Sequence, residues 1–209
     1  GYIQTGYLVF VGEDEVEPFR ANTAMQQKIG IQTSLITHEE AREIAPGFHV
    51  DDCAGIAYEP LSGHADASAT GYAYATRARR LGATVHLQAP ASRIEVSGGR
   101  VVAANTGAER IETPIAVVAT GPWSRHFLLG HDIDLPLEST RHEVVHFKRS
   151  LDALPNHPGG ADITNRVYFR PEGTDQTLVG NGNIEEVIGD PEIFAQRASQ
   201  GFIREVWSR

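Results

Sequence analysis

His142-Glu143-Val144-Val145-His146 reproduces the letters H-E-x-x-H. On a helix, that spacing sets two imidazoles on one face around zinc and leaves the glutamate to activate a bound water. Here Val144, Val145 and Phe147 favour strand, and Arg141, Lys148 and Arg149 surround the motif with positive charge. On a strand, His142, Val144 and His146 share one side, and Glu143 falls on the other. A half-buried strand is the expectation, with a zinc hydrolase acting through His142 and His146 as the alternative. Gly180-Asn181-Gly182-Asn183 begins like a dinucleotide loop, but its third glycine position is Glu185, whose carboxylate repels a pyrophosphate. A turn after a strand is the better reading. Cys53 has no neighbouring base in sequence to lower its pKa and reads as a buried or inert thiol. His38, His49, His64, His86, His126, His131 and His157 show no metal-ligand spacing, so surface or cap roles are expected.

Ile115-Ala116-Val117-Val118-Ala119 runs into Thr120-Gly121-Pro122-Trp123-Ser124. The apolar run predicts a buried parallel strand, and its small-residue end lets a backbone approach closely. Strand ends of this kind hold dinucleotides in α/β sheets. A tight packing corner and a cofactor site are equally compatible with these residues.

The elements that position these residues follow from periodicity and punctuation. Tyr7 to Val11 predicts a buried strand. The acidic stretch Glu13, Asp14, Glu15 and Glu17 suits the start of a helix running to about Lys28, stopped by Gly30. Ile31 to Ile36 predicts a strand. Thr37 and Glu40 form a capping box for a short helix ending before Pro46. Ala54 to Tyr58 predicts a strand, followed by a loop from Glu59 to His64. Asp66 caps a helix over Ala67 to Leu81, with Thr70, Tyr74, Ala78 and Leu81 as its inward stripe and Gly82 as its stop. Arg77, Arg79 and Arg80 read as a solvated helix end. Thr84 to Leu87 predicts a strand. Ser92 to Ser97 and Arg100 to Asn105 form a hairpin across Gly98-Gly99, and Glu109 to Glu112 another short strand. Leu137 to Phe147 is β-rich, and Val167 to Arg170 and Thr177 to Gly180 are strands joined by a turn. From Ile193 to Trp207, apolar residues recur at threes and fours, which predicts a helix.

The 209 residues carry 18 Lys and Arg against 27 Asp and Glu, a formal net charge of −9. This balance argues against nucleic acid and against anionic membrane. Apolar residues make up 41% and charged residues 22%, as in a folded soluble domain. No apolar run reaches the roughly 20 residues of a membrane span. With Cys53 as the single cysteine, no intrachain disulfide can form, and a reducing, cytoplasmic setting is expected. The chain opens on Gly1 without methionine and its last helix has no cap, so an internal piece of a longer protein is expected. The fold class is α+β: a largely antiparallel sheet flanked by helices, with a partial α/β segment in the middle.

Several segments, taken in order, resemble one family. They are Thr5-Gly6-Tyr7-Leu8-Val9-Phe10, Tyr58-Glu59-Pro60-Leu61-Ser62-Gly63-His64-Ala65-Asp66, Leu81-Gly82-Ala83-Thr84-Val85, Val117-Val118-Ala119-Thr120-Gly121-Pro122-Trp123-Ser124, Tyr168-Phe169-Arg170-Pro171-Glu172 and Leu178-Val179-Gly180. Together they are similar to FAD-dependent amine oxidoreductases of the D-amino-acid oxidase type, which include sarcosine and glycine oxidases. The resemblance implies a substrate-binding domain over residues 1–65 and 136–209 and a partial FAD-binding segment over 66–135. It implies FAD contacts at Ala119, Thr120, Gly121 and Trp123. A backbone contact would fall at Ala91, where Pro90-Ala91 departs from the family's usual valine. The active-site tyrosine of sarcosine oxidases maps onto Tyr168, and Arg170 on the same strand face could bind a substrate carboxylate. The basic and imidazole groups those enzymes carry on the next strand align with Leu178 and Gly182, which leaves the amine substrate open.

The implied chemistry is flavin-mediated oxidation of the C–N bond of a small amine or amino acid. The family's G-x-G-x-x-G loop does not occur in these residues, so the piece is expected to be inactive alone and to self-associate through uncovered apolar surface. A stand-alone ligand-binding or regulatory module derived from the substrate domain is the competing reading.

Overall fold

The computed structural model describes residues 1–152, 154, 156–182 and 186–207. In chain order, β1 (Tyr2–Gln4) and β2 (Tyr7–Val11) lead through a 3₁₀ turn (Glu13–Glu15) into α1 (Val16–Lys28). β3 (Ser34–Ile36), α2 (His38–Ile44), β4 (Gly55–Glu59) and β5 (Gly63–Ala65) precede α3 (Ala67–Arg80). β6 (Ala91–Ser97), β7 (Arg100–Thr106) and β8 (Arg110–Glu112) follow. A second 3₁₀ turn (Gly121–Trp123) enters α4 (Ser124–Leu129). The remainder is β9 (Ser139–Thr140), β10 (Val144–Lys148), β11 (Gly159–Asp162), β12 (Val167–Glu172), β13 (Gln176–Asn181), β14 (Val187–Ile188) and α5 (Gln200–Trp207). The fold is α+β, as expected. The chain divides into two units: residues 1–71, 142–184 and 195–209 form the first, and 72–141 with 185–194 the second.

The first unit is built on a seven-stranded sheet of order β10-β13-β12-β11-β2-β4-β3, antiparallel throughout except for the β11–β2 pair. Register sets Val145, Val179, Phe169, Gly160, Leu8 and Tyr58 in one row across it. On that face Leu8, Phe10 and Ile56 pack with Ala41 and Ala45 of α2 and with Val50. Burying each large apolar side chain contributes about 1.5–3 kcal/mol. Gly160 is required where it stands: a Cβ there would lie 2.7 Å from the Leu8 carbonyl and 2.7 Å from the Phe169 ring. The capping box forms as read, with Thr37 Oγ1 accepting from Glu40 N–H and Glu40 accepting from Thr37 N–H. Asp66 likewise accepts from Ala69 N–H at the start of α3.

His157 departs from the expected surface role. It is 5% exposed, packed between Phe48 and Phe169. Its Nδ1 donates to the Pro158 carbonyl at 2.7 Å, and its Nε2 accepts from the Thr177 hydroxyl at 2.8 Å. Burial, with Arg149 nearby, lowers its pKa and keeps it neutral.

The second unit holds the β6-β7-β8 meander, whose first turn has both Gly98 and Gly99 at positive φ, as a two-residue hairpin requires. β9 pairs with β14, and beside them Arg141 makes a two-pronged contact to Glu186 at 2.8 and 2.6 Å.

Several expectations are corrected here. Thr84 to Leu87 and Ile115 to Ala119 form no ladder, and Ile115 and Val117 are 75% and 87% exposed. A parallel strand exists through its neighbours, and among the described residues neither segment has one. Tyr74 and Leu81 of the expected inward stripe of α3 are exposed, as is Thr70. The last helix starts at Gln200, not Ile193; Ile193 and Phe194 are exposed, whereas Phe202 and Val206 are buried. Leu137 to Phe147 splits into β9 and β10, Ile31 to Ile36 shortens to β3, and the loop ending at His64 contains the start of β5. Gly180 and Asn181 end β13, while Asn183 and Glu185 lie outside the described residues.

Candidate functional site

In the second unit, Ala91, Ala119, Thr120, Gly121 and Trp123 line one cavity of about 1200 Å³. Ala91 opens β6, and the β6–β7 register slips between Ala91 and Arg93. A bulge of this kind re-aims side chains next to a site. The Thr120–Trp123 edge is a tight turn: Trp123 N–H donates to the Thr120 carbonyl at 3.2 Å, and Gly121 sits at φ +56°. A side chain at Gly121 would be strained, although no atom lies within 4 Å of its Cβ position. The Thr120 and Ser124 hydroxyls are 3.0 Å apart, which ties the turn to the first residue of α4.

Arg93, Phe127, His126, His131 and Glu192 complete the chemically distinctive part of the wall. His126 and His131 were expected only in surface or cap roles, and Arg93, Phe127 and Glu192 carry no sequence signal. Arg93 and Glu192 bring opposite charges to one cavity from positions far apart in the chain, and no spacing rule finds such a pair.

Tyr168 and Arg170 belong to the first unit and share a face of β12, opposite Phe169. The Tyr168 ring lies across Gly180, where a Cβ would come within 2.2 Å of it. Burial raises the Tyr168 phenol pKa, so it stays protonated. Arg170 is charge-paired with Glu172, two residues along the same face, at 2.5 Å. A substrate carboxylate would have to share this guanidinium with Glu172.

The H-E-x-x-H residues take the strand arrangement. His146 is on β10, His142 and Glu143 precede it, and both histidines are exposed. Glu143 instead accepts from the Ser199 N–H at 2.5 Å, while the Ser199 hydroxyl accepts from Phe202 N–H at 3.1 Å. This glutamate anchors the start of α5. A strand cannot bring both imidazoles and Glu143 to one side, so the zinc alternative loses its geometry. Among the described residues no His, Cys, Asp and Glu cluster is arranged to hold a metal. The Cys53 thiol is pushed up to about 11 by burial and by Asp52 and Asp162. It is inert at neutral pH. No described helix is long and apolar enough to cross a membrane.

The model of the family described as "FAD dependent oxidoreductase" matches residues 1–209. The chain is 26% identical over 186 residues to the mitochondrial sarcosine dehydrogenase of Homo sapiens, covering 86% of the chain and 20% of that protein. It is 24% identical over 176 residues to the mitochondrial pyruvate dehydrogenase phosphatase regulatory subunit of Mus musculus, covering 81% and 20%. Among solved structures, L-proline dehydrogenase from P. horikoshii superposes with a TM-score of 0.84 at 25% identity, covering 100% of this chain and 55% of that one. The chain thus spans about a fifth of these curated relatives and about half of this solved one.

Proposed function

The chain belongs to the FAD dependent oxidoreductase family, and from that premise we propose that the protein oxidises the C–N bond of a small amino acid or secondary amine. FAD is the cofactor in this reading, held in part by the cavity of the second unit. The observation that carries it is the convergence of Ala91, Ala119, Thr120, Gly121 and Trp123 on that one cavity.

The residues present suit such a group. Small side chains at Ala91, Ala119 and Gly121 let the backbone approach a ligand, and Trp123 and Phe127 offer rings to stack against. Arg93 would neutralise a phosphate, and Glu192 could accept from ribose hydroxyls. The volume exceeds the roughly 300–1,000 Å³ of drug-sized sites, as a dinucleotide needs. When bound, FAD supplies the acceptor for the electron pair leaving the C–N carbon.

On β12, Tyr168 would present a protonated hydroxyl to the substrate. The Arg170–Glu172 pair would orient a molecule carrying both a carboxylate and an amine cation. Sarcosine and proline, named in two relatives, are both secondary amino acids. The 209-residue stretch by itself is expected to be inactive, since no G-x-G-x-x-G loop occurs in it. A reducing compartment suits the single Cys53.

The test is spectroscopic. The intact protein, as its gene encodes it, should purify with bound flavin, and sarcosine or L-proline should bleach that flavin without oxygen. A colourless protein would overturn the flavin reading. That outcome would favour the competing module, a substrate-domain sheet without flavin, a reading that the resemblance to the mouse regulatory subunit supports. A coloured protein that neither amine bleaches would overturn the amine substrate.

A further inference from the structure

His131 joins two parts of the cavity wall with one ring. Its Nδ1 lies 2.9 Å from the Phe127 carbonyl, and its Nε2 lies 2.9 Å from the backbone nitrogen of Ile94. A carbonyl can only accept, so Nδ1 carries the hydrogen. A backbone N–H can only donate, so Nε2 is bare. The two partners thus set the donor and acceptor nitrogens of the ring. The ring also packs against Phe127, with centroids 5.0 Å apart.

The two partners sit on the segments that carry the cavity's small residues. Phe127 is on α4, which continues directly from the Thr120–Trp123 turn. Ile94 is on β6, just past the slip that follows Ala91. β6 is the edge strand of its sheet, and the Ile94 N–H is an edge donor that His131 satisfies.

We propose that His131 is a positioning residue for the cofactor: its ring, bridging β6 and α4, fixes the spacing between the Ala91 edge and the Thr120–Trp123 turn. This rests on the flavin reading above.

FAD titrations of the intact wild-type protein, H131F and H131Q at neutral pH test this, together with the melting temperature of each FAD-free protein. Loss of a half-buried hydrogen-bonding partner should weaken FAD binding in H131F about tenfold. Glutamine can donate and accept at the same two places. H131Q should therefore stay within about threefold of wild type. The proposal is overturned if H131F melts lower but binds FAD as wild type does, or if H131Q weakens FAD binding as much as H131F does. If wild type binds no FAD, the flavin reading itself fails.

Discussion

The first unit buries Leu8, Phe10, Val11, Ile56 and Ala57 on two adjacent strands, whereas Ala103 is the one buried hydrophobic residue described in the second. Composition does not explain the contrast, because the second unit has its own apolar runs. A covering surface does. Ala41 and Ala45 of α2 and Val50 pack over Leu8, Phe10 and Ile56 of the seven-stranded sheet, whereas β6, β7 and β8 are paired as well and bury Ala103 alone among the described hydrophobic residues. Ile115 to Ala119 pairs with no described strand, and its Ile115 and Val117 side chains face outward. An apolar run becomes core only where a second surface meets it.

Core truncation should separate the two units most sharply. Leu8 is fully buried, and Leu8→Ala should cost about 2–5 kcal/mol. Val117→Ala, at a position 87% exposed, should change stability by less than about 0.5 kcal/mol. Urea unfolding of each variant measures both, and equal effects would erase the contrast.

The next effect concerns exposed surface. Ile115 and Val117, with Tyr72, Tyr74, Leu81 and Leu87, leave the 209-residue chain with apolar side chains in water. Sedimentation should find it self-associated, and Val117→Lys should shift it towards monomer. A monomer at high concentration would show that this surface is not adhesive.

A smaller effect belongs to Glu143. Glu143→Gln weakens the acceptor that holds Ser199, so α5 should lose about 1 kcal/mol of local stability. Hydrogen exchange of α5 amides reads this directly. A change in bound zinc instead would revive the H-E-x-x-H reading.

The smallest effect is a pH slope. The His157 pKa is lowered by folding, so the unfolded chain binds the extra proton first as pH falls. Stability of the first unit is therefore complete above the ordinary imidazole range and declines on acidification below it. His157→Asn should flatten that decline in urea titrations run at several pH values.

What was legible in the sequence was local. Thr37 and Glu40, Asp66, and Gly98-Gly99 act within a few residues of themselves, and each does what its type and spacing dictate. In the first unit β2, β4, β12 and β13 are legible because apolar runs and turn residues mark them, whereas β1, β5 and the Gly159–Asp162 strand β11 carry no such pattern. Ile115 to Ala119 was misread because a parallel strand is a property of its neighbours, not of its letters. His157 and His131 were read as surface residues because their partners Thr177 and Ile94 lie 20 and 37 residues away. The cavity residues Ala119 to Trp123 came from a run that ends in small residues, whereas Arg93 and Glu192 carried no such mark.

The flavin reading rests on the second unit's cavity. The direct measurement is equilibrium dialysis of FAD against the intact protein and its Gly121→Val variant, since Gly121 sits on the cavity wall at a φ that a β-branched residue resists. Wild type should retain FAD, and the variant should hold it at least about tenfold more weakly, a cost of roughly 1.4 kcal/mol. Equal retention by the two proteins would contradict the flavin reading.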